Sequence, residues 1–269
     1  MSRQTGRLTI LHLSDVHVTD GELLYGAVDG LDRLRCVAAY AREAGITPEA
    51  VVVTGDLVQR GNALAYPALS DGLRRLERDL DAPVLTVIGN HDDPEHARIL
   101  DGHEHGHRRT VTVGGLRIVL LDSSTGELGR DQLAWLRAEL ATAAPDGTVV
   151  ALHHPPLGSP LPTLAKAGLR DADLLLATLA GTDVRAVLAG HFHHPLTATL
   201  RGVFVSVGPS LAYHQVMNAG PDRFGGHDLA MFSLLHLRSD GVSATNVSLH
   251  SPAPLFISSL TPTATPTLS

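Results

Sequence analysis

Apolar residues along the chain fall in short runs without strict alternation, at residues 8–13, 50–53, 84–88, 116–121, 148–152 and 184–188. Runs of this length, rich in Val, Ile and Leu, predict strands buried on both faces. Between several of them the period lengthens to that of helices, over residues 31–43, 63–80 and 130–140. Strands alternating with helices predict an α/β sheet with right-handed crossovers. After Pro195 the texture changes to alternating segments at 196–200, 203–207, 230–237 and 242–249, which predict an antiparallel sheet closing the domain. The expected architecture is an α/β sandwich of two sheets in one domain, residues 1–257. Residues 258–269, rich in Pro, Thr and Ser, read as a mobile terminus. There is no internal repeat.

Composition agrees with a packed domain. The 269 residues are 43% apolar and 18% charged, and the mean hydropathy is +0.09. Those values exclude a disordered chain, a coiled coil and a collagen-like repeat. No window approaches the apolar length of a membrane span. The polar start and the short run at 8–13, broken by His12, predict no secretory leader, hence a cytoplasmic protein. A single cysteine, Cys36, cannot form an internal disulfide and fits that compartment. Twenty-one basic residues against 28 acidic leave a net charge of −7, which argues against a protein that grips long nucleic acid. Sixteen histidines stand out, because imidazole titrates near neutrality and is the commonest metal ligand.

The chemistry concentrates at the ends of the buried runs. They open into Ser14-Asp15-Val16-His17, Gly55-Asp56, Gly89-Asn90-His91-Asp92, His153-His154-Pro155-Pro156 and Gly190-His191-Phe192-His193. Ligands of open α/β sheets bind beyond the carboxyl ends of strands, so these turns can share one crevice. Singly each has a plain reading: Gly-Asp is a common turn, Asn and Asp cap helices, and paired histidines before prolines make a rigid turn. Together they offer carboxylates, an amide and imidazoles with almost no sulfur, a set suited to Mn, Fe, Co, Ni or Zn. Two metals sharing a carboxylate fit that number of donors better than one. His103, His105 and His107 lie in a charged segment and read as a solvated loop; Asp122 reads as structural. Tyr25, His194 and His214 are candidates for the rim of a substrate pocket.

These blocks resemble, in order and separation, the five signature blocks of calcineurin-like metallophosphoesterases. Leu24-Tyr25-Gly26-Ala27-Val28-Asp29, the His153-His154-Pro155-Pro156 block and Gly181-Thr182-Asp183-Val184-Arg185 are further similar to bacterial, mycobacterial-type class III cyclic-nucleotide phosphodiesterases. The likeness covers about the first 210 residues. It implies a four-layer α/β/β/α sandwich of two mixed sheets. It also implies one metal held by Asp15, His17, Asp56 and His193, and a second by Asp56, Asn90, His153 and His191, Asp56 bridging. His91 would face the substrate as the catalytic acid or charge stabiliser.

Two divalent ions bring four positive charges and the two carboxylates return two negative, so the centre suits an anionic phosphoester. The expected reaction is in-line attack on phosphorus by a metal-bridging hydroxide, with Mn, Fe or Zn as the ion pair. The resemblance implies that the substrate is 3′,5′-cyclic AMP, converted to 5′-AMP. The alternatives are a broader phosphodiesterase, acting on 2′,3′-cyclic nucleotides or glycerophosphodiesters, and a non-catalytic scaffold on the same fold. The expected partner is a small phosphodiester, with no long nucleic acid and no membrane span; a homodimer is compatible with the sequence.

Overall fold

A computed structural model of the chain describes residues 6–250 and 252–258. The first half runs β1 (Arg7–Leu13), α1 (Gly30–Glu43), β2 (Ala50–Thr54), α2 (Tyr66–Leu80), β3 (Val84–Val87), β4 (Arg109–Val113), β5 (Leu116–Leu120) and α3 (Gly129–Glu139). It continues with β6 (Thr148–Ala151), α4 (Ala172–Leu179), β7 (Val184–Ala189), β8 (Leu196–Leu200), β9 (Val203–Val207), β10 (His214–Gln215), β11 (Gly226–His227), β12 (Met231–Arg238) and β13 (Gly241–Ser248). The terminus expected to be mobile lies, apart from Ser258, outside the described residues.

Two mixed sheets result, ordered β13-β12-β1-β2-β3 and β4-β5-β6-β7-β9-β8. Strands β1, β2 and β3 are parallel, as are β5, β6, β7 and β9. Strand alternation sorts the side chains into separate cores. In the first sheet Leu8, Ile10, Ala50 and Val52 face the second sheet, where they meet Ile118, Leu120, Val149 and Leu188. Their neighbours Leu11, Leu13, Val51 and Val53 face α1 and α2. On the far side Val119, Val150, Val187 and Ala189 pack on α3 and α4 through Leu133, Leu136, Leu175 and Leu179. The layers are therefore helix, sheet, sheet, helix, which is the expected sandwich.

The helices hold their places by spacing and capping. Leu69, Leu73, Leu76 and Leu80 form the buried stripe of α2, and Asp29 caps α1 by accepting from the Asp32 amide at 3.0 Å. No helix among the described residues is long and apolar enough to cross a membrane.

Two expectations need correcting. The four late segments do not form one closing sheet. Strands β8 and β9 extend the second sheet, whereas β12 and β13 extend the first, beside β1. Alternation shows that a strand has unlike faces but not which sheet receives it. The segment before β4 is also not simply solvated: His103 is fully buried, bonded to the Thr86 hydroxyl at 2.8 Å and to His107 at 2.9 Å.

Candidate metal centre

The turns after β1, β2, β3, β6 and β7 meet where the carboxyl ends of the two sheets face each other. Backbone bonds join them: the Asp15 amide donates to the Gly55 carbonyl, and the His17 amide to the Asp56 carbonyl, both at 3.0 Å. Across the seam, the His191 amide donates to the Asp15 carboxylate at 3.1 Å. The approach is close enough that a Cβ on Gly89 would strike Asp56, and one on Gly190 would strike the Ser14 hydroxyl.

Asp15, His17, Asp56 and His193 offer donor atoms that all lie within 4.8 Å of one another, and all four residues are buried. Nε2 of His17 and Nε2 of His193 stand 3.2 Å apart. His193 Nε2 is 3.2 Å from Asp15 Oδ1, and His17 Nε2 is 3.6 Å from Asp56 Oδ2. The other ring nitrogens fix the tautomers: His17 Nδ1–H donates to Gln59 Oε1 at 2.8 Å and His193 Nδ1–H to the Tyr213 carbonyl at 3.2 Å. Each Nε2 then turns a lone pair inward. Asp15 Oδ1 is buried without a hydrogen-bond partner. Lone pairs converging on one point in a buried space call for a cation, so this donor set fits a divalent metal.

A second convergence adjoins the first. His153 Nδ1–H donates to the Thr54 carbonyl at 2.8 Å, leaving Nε2 facing Asn90 Oδ1 at 3.1 Å, His191 Nδ1 at 3.2 Å and Asp56 Oδ1 at 3.4 Å. Asp56 thus presents one oxygen to each group. His154 lies near this set, its ring 4.4 Å from that of His191, with Nδ1 buried and unpartnered; His153 is the one that reaches Asp56.

The electrostatics match. Burial would raise Asp15, but the adjacent His193 outweighs it and holds the carboxyl well below its usual range. Asp56 is likewise held low, by His153 and then His17 against its burial. Burial pulls His17 down to about 4 and His191 down to about 3. His153 goes the other way: its burial is overcome by Asp56, which pushes it up to about 9. The carboxylate that favours positive charge on His153 would equally favour a cation at that point.

His91 stands beside both groups, half-buried, with its amide donating to Asp56 Oδ1 at 2.8 Å and its Nε2 4.0 Å from Asp56 Oδ2. Its Nδ1–H donates at 3.0 Å to Gln59 Oε1, the atom that also serves His17. Sequence reasoning missed Gln59, and it missed Asp92. The Asp92 carboxylate accepts from the Leu57, Val58 and Gly89 amides and the Tyr66 hydroxyl, locking the second turn to the third. Burial, then the charge of Asp56, push it up to about 6. Its place directly after Asn-His was the available signal for Asp92; an isolated glutamine carries none.

The remaining candidates scatter. Tyr25 is 75% exposed on a loop edging the site. His214 is half-buried in β10, its Nδ1–H donating to the Gln215 carbonyl at 2.8 Å. His194 is buried and its ring is bonded to the Ser159 hydroxyl at 2.8 Å, so it does not stand at an open rim as expected. Asp122 accepts from the Ser124 amide at 2.9 Å, a turn-forming bond.

Residues 8–195 match the family described as calcineurin-like phosphoesterase. The chain is 40% identical over 257 residues to a cAMP/cGMP dual specificity phosphodiesterase of Mycobacterium tuberculosis, covering 91% of this chain and 79% of that one. It is 31% identical to the 3′,5′-cyclic adenosine monophosphate phosphodiesterase CpdA of Escherichia coli, covering 76% of each. Among solved structures, a dimetal phosphatase from Danio rerio superposes with a TM-score of 0.63 at 15% identity, over 90% of this chain and 96% of that one. That last likeness is one of fold.

Proposed function

The chain belongs to the calcineurin-like phosphoesterase family, and on that premise we propose that it is a dinuclear-metal phosphodiesterase hydrolysing 3′,5′-cyclic AMP to 5′-AMP. The observation that carries this reading is the pair of donor groups sharing Asp56, one oxygen to each. In it Asp15, His17, Asp56 and His193 hold one ion; Asp56, Asn90, His153 and His191 hold the other. Oxygen and nitrogen donors without sulfur favour Mn, Fe or Zn. Bound there, two divalent ions supply positive charge to the phosphoryl oxygens and lower the pKa of a water toward neutrality.

The chain's own residues do the rest. Fixed tautomers on His17, His153 and His193 keep the donors aimed before any ligand arrives, so little reorganisation remains for the reaction. His91, surplus to the donor count, turns Nε2 toward the centre while Gln59 holds Nδ1–H. From there, once Nε2 has taken up a proton to give the imidazolium, it stabilises charge on the phosphoryl group. Nε2–H then passes its proton to the leaving oxygen, and the ring returns to the neutral Nδ1–H form that Gln59 holds. The similarity to the mycobacterial and Escherichia coli enzymes supports a cyclic nucleotide over other diesters. The net charge of −7 disfavours a polymer. A cytoplasmic location, where cyclic nucleotides act, belongs to the same reading.

The test compares kcat/KM of metal-reconstituted protein for 3′,5′-cyclic AMP, 2′,3′-cyclic AMP, an aryl phosphodiester and its monoester, with long DNA as a control. The cyclic 3′,5′ diester should lead and DNA should stay intact. A monoester preferred by more than about tenfold, some 1.4 kcal/mol in the barrier, would sink the diesterase reading. Preference for 2′,3′-cyclic AMP would keep the chemistry and replace the substrate.

A further inference from the structure

A cavity of about 430 Å³ opens beside the donor cluster, with Tyr25, Val28, Tyr213, Phe224, His227 and Asp228 among its walls. Tyr213 joins the two spaces. Its carbonyl holds His193, its ring lies 4.1 Å from the His193 ring, and the Tyr25 ring meets it edge-on at 5.7 Å. The cavity therefore begins one aromatic ring away from the metal donors. A phosphate on those donors would have this cavity as its neighbouring space, across the Tyr213 ring.

Packing accounts for little of the placement of Tyr25, whose ring meets the chain at the edge of Tyr213 and otherwise faces outward. Residues Leu24 to Ala27 form a tight turn, closed by the Ala27 amide on the Leu24 carbonyl at 3.1 Å, with φ of 52° at Tyr25 and 70° at Gly26. Positive φ at both central positions favours Asn, Asp or Gly, and a bulky aromatic there is strained. The turn is pinned from below by Leu24 and Val28, buried against Ala212, while the Tyr25 side chain stays 75% exposed. Phe224, on another wall, is 80% exposed. Neither ring offsets its cost by burial within the chain, and both present open faces to one cavity. The polar edge is Asp228, held by the Arg33 guanidinium through Oδ1; its other oxygen can accept from N–H groups.

We infer that this cavity is the nucleobase subsite, taking a purine ring stacked on Tyr25 and flanked by Phe224. The inference rests on the cyclic-nucleotide reading above and names the part of the molecule that recognises the base. A flat, neutral, N–H-bearing heterocycle satisfies the aromatic faces and the carboxylate together. Purines, with the larger stacking surface, should be preferred over pyrimidines.

Tyr25→Asn removes the ring while suiting the turn, and Phe224→Ala removes an exposed side chain, so both variants should fold. Inhibition by 5′-AMP reads the donor cluster and the cavity together, whereas inhibition by inorganic phosphate reads the donor cluster alone. Each variant should weaken 5′-AMP inhibition and raise KM for 3′,5′-cyclic AMP by about tenfold, with phosphate inhibition retained and Tyr25→Phe restoring the wild-type values. If 5′-AMP and phosphate inhibition both stay unchanged in an active enzyme, or both weaken equally, the cavity is not the base subsite. If the wild-type protein hydrolyses an aryl phosphodiester yet neither turns over cyclic nucleotides nor binds 5′-AMP better than phosphate, the functional reading itself fails and the subsite falls with it.

Discussion

Asp15, His17, Asp56, His191 and His193 all adopt left-handed backbone, with φ between 47° and 74°. For an L residue that conformation costs roughly 1–2 kcal/mol, and it persists because each turn is bonded to its neighbours across the crevice. The sharp turn is what swings a side chain from the end of a buried strand into the shared space. His91→Ala should retain both ions by elemental analysis and lose roughly 10²–10⁴ in kcat. The loss should shrink for aryl substrates, whose leaving groups need less protonation. A variant stripped of metal would make His91 a ligand instead.

At the scale of elements, the strand ends opposite the site are clamped by Arg117 and Asp183. Arg117 donates to Asp183 Oδ1 and to the Thr148 hydroxyl, both at 2.8 Å, and the pair is only 12% exposed on each side. Asp183 Oδ2 accepts from the Ala144 amide and the Thr148 hydroxyl, again at 2.8 Å. The arrangement joins β5, β6 and the turn into β7. Asp183→Ala leaves a guanidinium nearly buried without its partner and should cost about 3 kcal/mol in urea unfolding, with metal content unchanged; a midpoint that does not move would refute the clamp. The parallel strands and the five turns were legible because buried runs ending in polar residues are a one-dimensional signal. Strand β4 was not, since its Arg109-Thr110-Val111-Thr112-Val113 sequence is half polar and it pairs only at an edge. The division of β8, β9, β12 and β13 between sheets was equally hidden, because partner choice is made by contacts far along the chain. Gln59 falls in the same class: its two histidine partners meet only after folding.

For the molecule as a whole, acid should be a weakness even away from the centre. Burial holds His103 down to about 3, whereas in the unfolded chain it titrates near 6.5. Above that pH its contribution to stability is complete; as pH falls toward 3 the unfolded state takes up a proton that the folded state refuses, and stability is lost. Between pH 7 and 5 this one group should cost about 2 kcal/mol. Melting curves in chelator should show His103→Gln flattening that dependence, and an unaltered slope would exclude His103 as its source. Of the donor groups, Asp15, His17, Asp56 and Asn90 follow strands of one sheet, while His153, His191 and His193 follow strands of the other. An ion held by both is a non-covalent cross-link between two halves that otherwise meet mainly across an apolar face. Its binding energy then becomes folding energy, about 2.7 kcal/mol at a hundredfold excess over Kd. Chelation should accordingly lower the melting temperature and loosen amide-exchange protection along the seam before it touches the helices, making occupancy readable from heat alone.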